Sequence, residues 1–114
     1  MSVVHHPELA TGRWRRMTLA EQMGNVGSEV YRAIRAKQQT NQPRFQLALE
    51  RMLELLDLTI ADPRWMNGRR ELLRAREVLC DFLVGDNVYR STPQNLQSYF
   101  DHFALAARRQ AGRA

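Results

Sequence analysis

TLAEQMGNVGSEVYRAIRAKQ, residues 18–38, is the stretch that decides the fold. Thr18 followed by Glu21 forms a capping box, in which the hydroxyl takes the amide three residues on and the carboxylate reaches back to the cap amide. Leu19, Met23, Val26, Val30 and Ile34 then recur at spacings of four and three, one stripe of a helix from Leu19 to about Gln38. Gly24 and Gly27 interrupt it, each at a cost of about 1 kcal/mol relative to alanine. Ala20, Gly24 and Ser28 lie four apart and make a smooth ridge, suited to close packing by another helix or another protomer.

Outward from this segment the same period continues. Thr40, Asn41 and Gln42 read as a short polar connection. Pro43 suits the first turn of a second helix, where its missing amide is no loss. Phe45, Ala48, Leu49, Met52, Leu53, Leu56 and Ile60 form its apolar face, and Pro63 disfavours helix at Asp62, so it should stop near Ala61. Pro63 to Gly68 reads as a loop holding Trp65. Asn67 or Gly68 then starts a third helix on Leu72, Leu79, Phe82 and Leu83, with Gly85 as a left-handed stop. Ser91 or Thr92 caps a fourth, carried by Leu96, Tyr99, Phe100 and Phe103 and closed by Arg108 and Arg109. No stretch alternates at period two, and the connections are short. The expectation is an all-α protein, an antiparallel up-down-up-down four-helix bundle over residues 18–110. A basic, flexible N-terminal segment (1–17) precedes it and a frayed tail (111–114) follows.

Composition limits what such a bundle can do. The chain has 114 residues, 44% apolar and 25% charged, ordinary values for one globular domain. A single Cys excludes an internal disulfide framework and a Cys-cluster metal site. No apolar run reaches the roughly 18 residues of a membrane span, and residues 1–10 carry no apolar run of a signal peptide. A cytoplasmic protein is expected. Cys80 falls on an apolar helix face as an inert thiol with no activating base beside it. His5 and His6 are adjacent in the tail, and His102 has Tyr99 rather than an acid three residues before it, so the Glu-x-x-His pairs of di-iron bundles are missing. Gly24 and Gly27 follow a capping box inside a helix, not the strand that precedes a phosphate loop. No catalytic residue, metal or cofactor is expected.

The stretches LAEQMGNVGSEVYRAI, ALERMLELLDLTIADPRW, REVLCDFLVGDNVYRST and YFDHFALAAR resemble a family of short, uncharacterised prokaryotic helical proteins. The resemblance spans about Leu19 to Arg108 and implies an all-helical fold without an activity, cofactor or catalytic residue. As a small basic bundle the chain is also similar in architecture to ribosomal-RNA-insertion and retroelement-accessory four-helix bundles. That likeness is one of fold and charge, and fold does not fix function.

Charge carries the remaining signal. Seventeen Lys and Arg oppose twelve Asp and Glu, a net +5, and Lys37 is the sole lysine. Arginine forks fit phosphate and stack on rings, although a G+C-rich genome also favours Arg codons. Arg69, Arg70, Arg74 and Arg76 crowd the start of helix 3 against its dipole. A hairpin of helices 2 and 3 would answer them, with Asp57 beside Arg70 or Arg74 and Glu54 near Arg76. Arg13, Trp14, Arg15 and Arg16 suit phosphates with a ring that stacks on a base, or else Trp14 covers the end of the bundle. In the antiparallel topology Arg13, Arg15, Arg16, Arg64, Arg69, Arg108, Arg109 and Arg113 converge with Trp14 and Trp65 at one end. Asp86, Asn87, Tyr89 and Arg90 form either a capped turn or a contact loop. The reading is a non-enzymatic accessory or adaptor protein. Its partner is RNA or DNA, or a nucleic-acid enzyme, held at this basic pole. The alternative is a homo-oligomeric interaction module packed through Ala20, Gly24 and Ser28.

Overall fold

A computed structural model describes residues 12–112, with side chains through His102 and at Leu105. The described chain is all-helical and contains no strand. Its helices are α1 (Leu19–Gln38), α2 (Gln42–Ile60), α3 (Arg69–Leu83) and α4 (Pro93–Gly112), with short 3-10 segments at Trp14–Arg16 and Pro63–Gly68. No helix among the described residues is long and apolar enough to cross a membrane.

Local chemistry places most boundaries. The capping box is present on both sides: the Glu21 amide donates to Thr18 Oγ1 at 3.1 Å and the Thr18 amide to Glu21 Oε1 at 3.0 Å. Thr40 turns the chain after α1 at φ 55, a left-handed conformation costly for a β-branched residue. Asn41 caps α2 by accepting from the Arg44 amide at 3.2 Å, so Gln42, expected in the connection, is already helical. Thr92 caps α4, taking the Asn95 amide at 3.1 Å.

The end of α3 differs from the expectation. Gly85 is not the left-handed residue; Asn87 and Arg90 are, each at φ 55. What Gly85 supplies is room, because a Cβ there would sit 3.0 Å from the Asp81 backbone. The Asp81 carboxylate then accepts the Val88 and Tyr89 amides at 2.8 and 3.0 Å. Asn87 exchanges side-chain hydrogen bonds with the Ser91 backbone at 2.8 and 2.9 Å. This is the capped-turn alternative for that loop.

The core explains why α1 is central. It packs along both α2 and α4 and touches α3, while α2 packs on α3. Met23, Val26, Val30 and Ala33 of α1 meet Met52 and Leu56 of α2, Leu79 and Leu83 of α3 and Phe100 of α4 in one cluster. Burial at Ala20 and Ala36 as well widens the α1 face beyond the single stripe. Asp57 of α2 pairs with Arg76 of α3 at 3.0 Å, an exposed pair that marks the register of the two helices. Its partner was expected to be Arg70 or Arg74. The 3-10 segment carries the chain past the end of α2 before α3 begins, which moves the register by more than half a turn.

The small residues of α1 also behave differently from one another. A Cβ on Gly27 would lie 2.7 Å from Phe100 Cβ, so this glycine is where α4 comes close. Nothing lies within 4 Å of the corresponding point on Gly24. Gly24→Ala is therefore expected to raise stability by roughly 0.5–1 kcal/mol. Gly27→Ala should lower it by roughly 1–3 kcal/mol through overpacking. Urea unfolding of the two variants checks the contrast; equal effects would remove the close approach.

Candidate functional site

A buried polar network lies where the start of α1 meets the end of α2. Trp14 begins the 3-10 turn and is 1% exposed, against an expected flexible segment for residues 1–17. The packed body thus reaches back at least to Trp14; residues 1–11 lie outside the described residues. The Trp14 indole donates to Thr59 Oγ1 at 3.1 Å, and that hydroxyl donates onward to the Leu55 carbonyl at 3.0 Å. Gln22 Nε2 donates to the Trp14 carbonyl at 2.8 Å and to Asp62 Oδ2 at 3.2 Å, while its Oε1 accepts from the Trp65 indole at 2.9 Å. One glutamine amide, fully buried in α1, therefore joins both tryptophans and an acid. Buried polar groups of this kind are stable only when each finds a partner, and here they do.

Asp62 anchors the other half. It accepts from the Arg64 amide at 3.0 Å and from the Arg64 guanidinium at 2.8 Å. These bonds, with help from Gln22 and against the opposing effect of burial, hold its carboxyl down to about 2. The same pairing raises Arg64 above its ordinary range. Arg64 also donates to the Met17 carbonyl at 2.8 Å and stacks 4.4 Å over the Trp65 ring. Met17, just before α1, and Asp62, just after α2, are thereby tied by one guanidinium.

The expected pole residues thus divide. Trp14 is the cover of the bundle end, the packing alternative, and its ring offers no face for a base. Trp65 is half-buried, with one face under Arg64. Arg69 is half-buried and donates to the Ile60 carbonyl at 3.1 Å. Arg15 and Arg16 are exposed on the 3-10 turn that Trp14 pins, Arg13 is exposed just before it, and Arg64 keeps 39% of its side chain exposed at the same end. The side chains of Arg108 and Arg109, and Arg113 altogether, lie outside the described residues. Arg74, expected to pair across the hairpin, lies 6.0 Å over the Tyr89 ring.

On the other expected surface, Ala20 is buried, Gly24 is half-buried, and Ser28 is exposed with its hydroxyl donated to the Gly24 carbonyl at 3.2 Å. Gly24 and Ser28 line a groove of about 1010 Å³ between α1 and α4. Cys80 is a half-buried free thiol. No cluster of three His, Cys, Asp or Glu able to hold a metal occurs among the described residues.

Gln22, Thr59 and Asp62 were not singled out as a network in the sequence. Asp62 carried a signal, since an acid before Pro63 and Arg64 is a natural cap and ion-pair partner. Gln22 carried none, because a glutamine on a helix reads as solvated. Chemically, the arrangement offers an anion the exposed arginines of a turn anchored by Trp14. Asp62, ionised and fully engaged, is poorly suited to take a proton.

The chain matches no protein-family model, no curated protein and no solved structure.

Proposed function

We propose that the protein is a non-enzymatic accessory protein that binds nucleic acid through the guanidinium groups of Arg13, Arg15, Arg16 and Arg64. The observation that carries the reading is the pinning of the Arg13–Arg16 turn by buried Trp14. A turn whose backbone is already fixed has only side-chain freedom left to lose when its charges meet phosphate, and phosphate contacts position a protein on any sequence. The end-to-end ties support an antiparallel up-down-up-down bundle: the start of α1 with the end of α2, and Asp57 of α2 with Arg76 of α3. In that arrangement Arg108 and Arg109 reach the same end, and Arg69 adds its charge beside Trp65. The wild type is expected to bind labelled RNA and DNA at low salt, more weakly as salt rises. Joint Arg15→Glu and Arg16→Glu substitution should weaken binding by about tenfold or more and reduce the salt slope by about 2. No binding at low salt overturns the reading.

A second reading rests on the open space at Gly24. There the Gly24 and Ser28 part of the ridge receives a second copy of the chain, while Ala20 is buried within the protomer. A dimer by light scattering that Gly24→Leu dissolves would support it; a wild-type monomer would end it.

A further inference from the structure

A second basic surface lies along the other half of the α1–α2 pair. A groove of about 500 Å³ is lined there by Arg32 and Arg35 of α1 and by Arg44, Leu47 and Arg51 of α2. The arginines are spaced three apart on α1 and seven apart on α2, so each pair shares a helix face. Among the lining residues, Glu29 is the sole acid. Four cations against one acid give the lining a formal charge of +3, with Arg32 paired to Glu29 and the Arg35 guanidinium donating to the Tyr31 hydroxyl at 3.4 Å. Such a lining favours an anion strongly.

Glu29 is the unusual member. It is 6% exposed, and its Oε1 accepts from the Arg32 guanidinium at 2.6 Å. Its Oε2 is buried with no hydrogen-bond partner. An ionised carboxylate oxygen left without a donor inside a protein is costly. The Arg32 side chain beside it is 60% exposed and so has freedom to turn. Arg32 is bonded to Oε1, so Oε2 is the oxygen left to accept from a ligand's donor.

We infer that this groove binds a nucleoside phosphate. The phosphate sits among the forks of Arg32, Arg35, Arg44 and Arg51, which match its oxygens in pairs. The base lies against Leu47, 39% exposed, and a guanidinium plane. A base N–H donates to Glu29 Oε2. Inorganic phosphate satisfies the first requirement alone. Guanine meets all three, because it places its amino and ring N–H donors along one edge. The volume is of the size that small ligands occupy. This site is separate from the Arg15 and Arg16 turn and does not depend on it.

Calorimetric titration of the whole protein with GMP, guanosine and inorganic phosphate tests the assignment. GMP is expected to bind, phosphate to bind at least about tenfold more weakly and guanosine not detectably. Joint Arg44→Glu and Arg51→Glu substitution, at sites outside the core, should lower GMP affinity by about tenfold or more with the melting curve kept. Glu29→Gln should narrow the preference for GMP over inorganic phosphate, because it alters the base acceptor and removes the one negative charge of the lining. Arg15→Glu with Arg16→Glu should leave GMP binding as it is, which separates this site from the pole. A short guanine-containing oligonucleotide identifies the source. Displacement of GMP by the strand, sensitive to Arg44 and Arg51, assigns a nucleotide within a chain; GMP binding without displacement assigns the free nucleotide. No GMP binding at low salt, GMP binding no tighter than phosphate, or binding unmoved by the Arg44 and Arg51 changes overturns the proposal.

Discussion

Trp14→Ala is expected to cost about 3–5 kcal/mol of stability, the range for removing a buried large aromatic side chain. Trp14 is 1% exposed and among the largest fully buried side chains of the described protein. Its loss leaves a cavity between the 3-10 turn and the end of α2 and removes the donor to Thr59 Oγ1. Thr59 still donates to the Leu55 carbonyl, so the hydroxyl is not orphaned, and most of the cost is packing. Trp14→Phe separates the two parts. It keeps much of the ring and deletes the N–H, so it should cost about 1–2 kcal/mol. Urea unfolding followed by circular dichroism measures both. A Trp14→Ala cost below about 1 kcal/mol would place the indole outside the core. The same variant bears on function. It removes no charge, yet it frees the turn that carries Arg13, Arg15 and Arg16. If those guanidiniums bind phosphate because they are held, nucleic-acid affinity should fall with Trp14→Ala under conditions where the bundle stays folded.

The elements that local chemistry determines were legible before the structure. Thr18 and Glu21 form their box within one turn, and Pro43 and Pro63 bracket α2 whatever packs on it. Features set by how helices meet were not. Which glycine of α1 is approached depends on the rotation of α4 about it, and Phe100 falls on Gly27, not on the ridge at Gly24. The partner of Asp57 depends on the length of the connection. At about 1.5 Å per residue, Arg76 lies some 6 Å farther along α3 than Asp57 lies from the end of α2. The 3-10 segment at Pro63–Gly68, unread as such, supplies that offset. Gln22 and Glu29 show a more general limit. Both are polar and helical, so a sequence reads them as solvated. Each is buried because α1 packs against more than one helix. The Gln22 amide that joins the Trp14 carbonyl to the Trp65 indole was invisible in the sequence.

Asp62 gives the second large effect, and it depends on pH. Its carboxyl is 1% exposed and is held at about 2, below the usual 3.8, chiefly by the Arg64 guanidinium. The folded value lies below the unfolded one, so the unfolded chain binds more protons between them. The contribution of Asp62 is therefore fully present above the unfolded value and is lost as pH falls from about 4 through about 2. The size follows from about 1.4 kcal/mol per unit, or about 2 kcal/mol in all. Other carboxylates add their own acid sensitivity, so the wild type alone does not isolate it. Asp62→Asn does: it should be less stable than the wild type by about 2 kcal/mol at pH 7 and nearly equal to it near pH 2. Arg64→Gln should shrink the same difference, because it removes the main cause of the shift while keeping a hydrogen-bonding side chain. A gap between wild type and Asp62→Asn that stays constant from pH 7 to pH 2 would mean that the Asp62–Arg64 pairing contributes nothing as an ion pair. The network would then owe its stability to its hydrogen bonds, those of Gln22, Thr59 and the Arg64 amide among them, and not to charge.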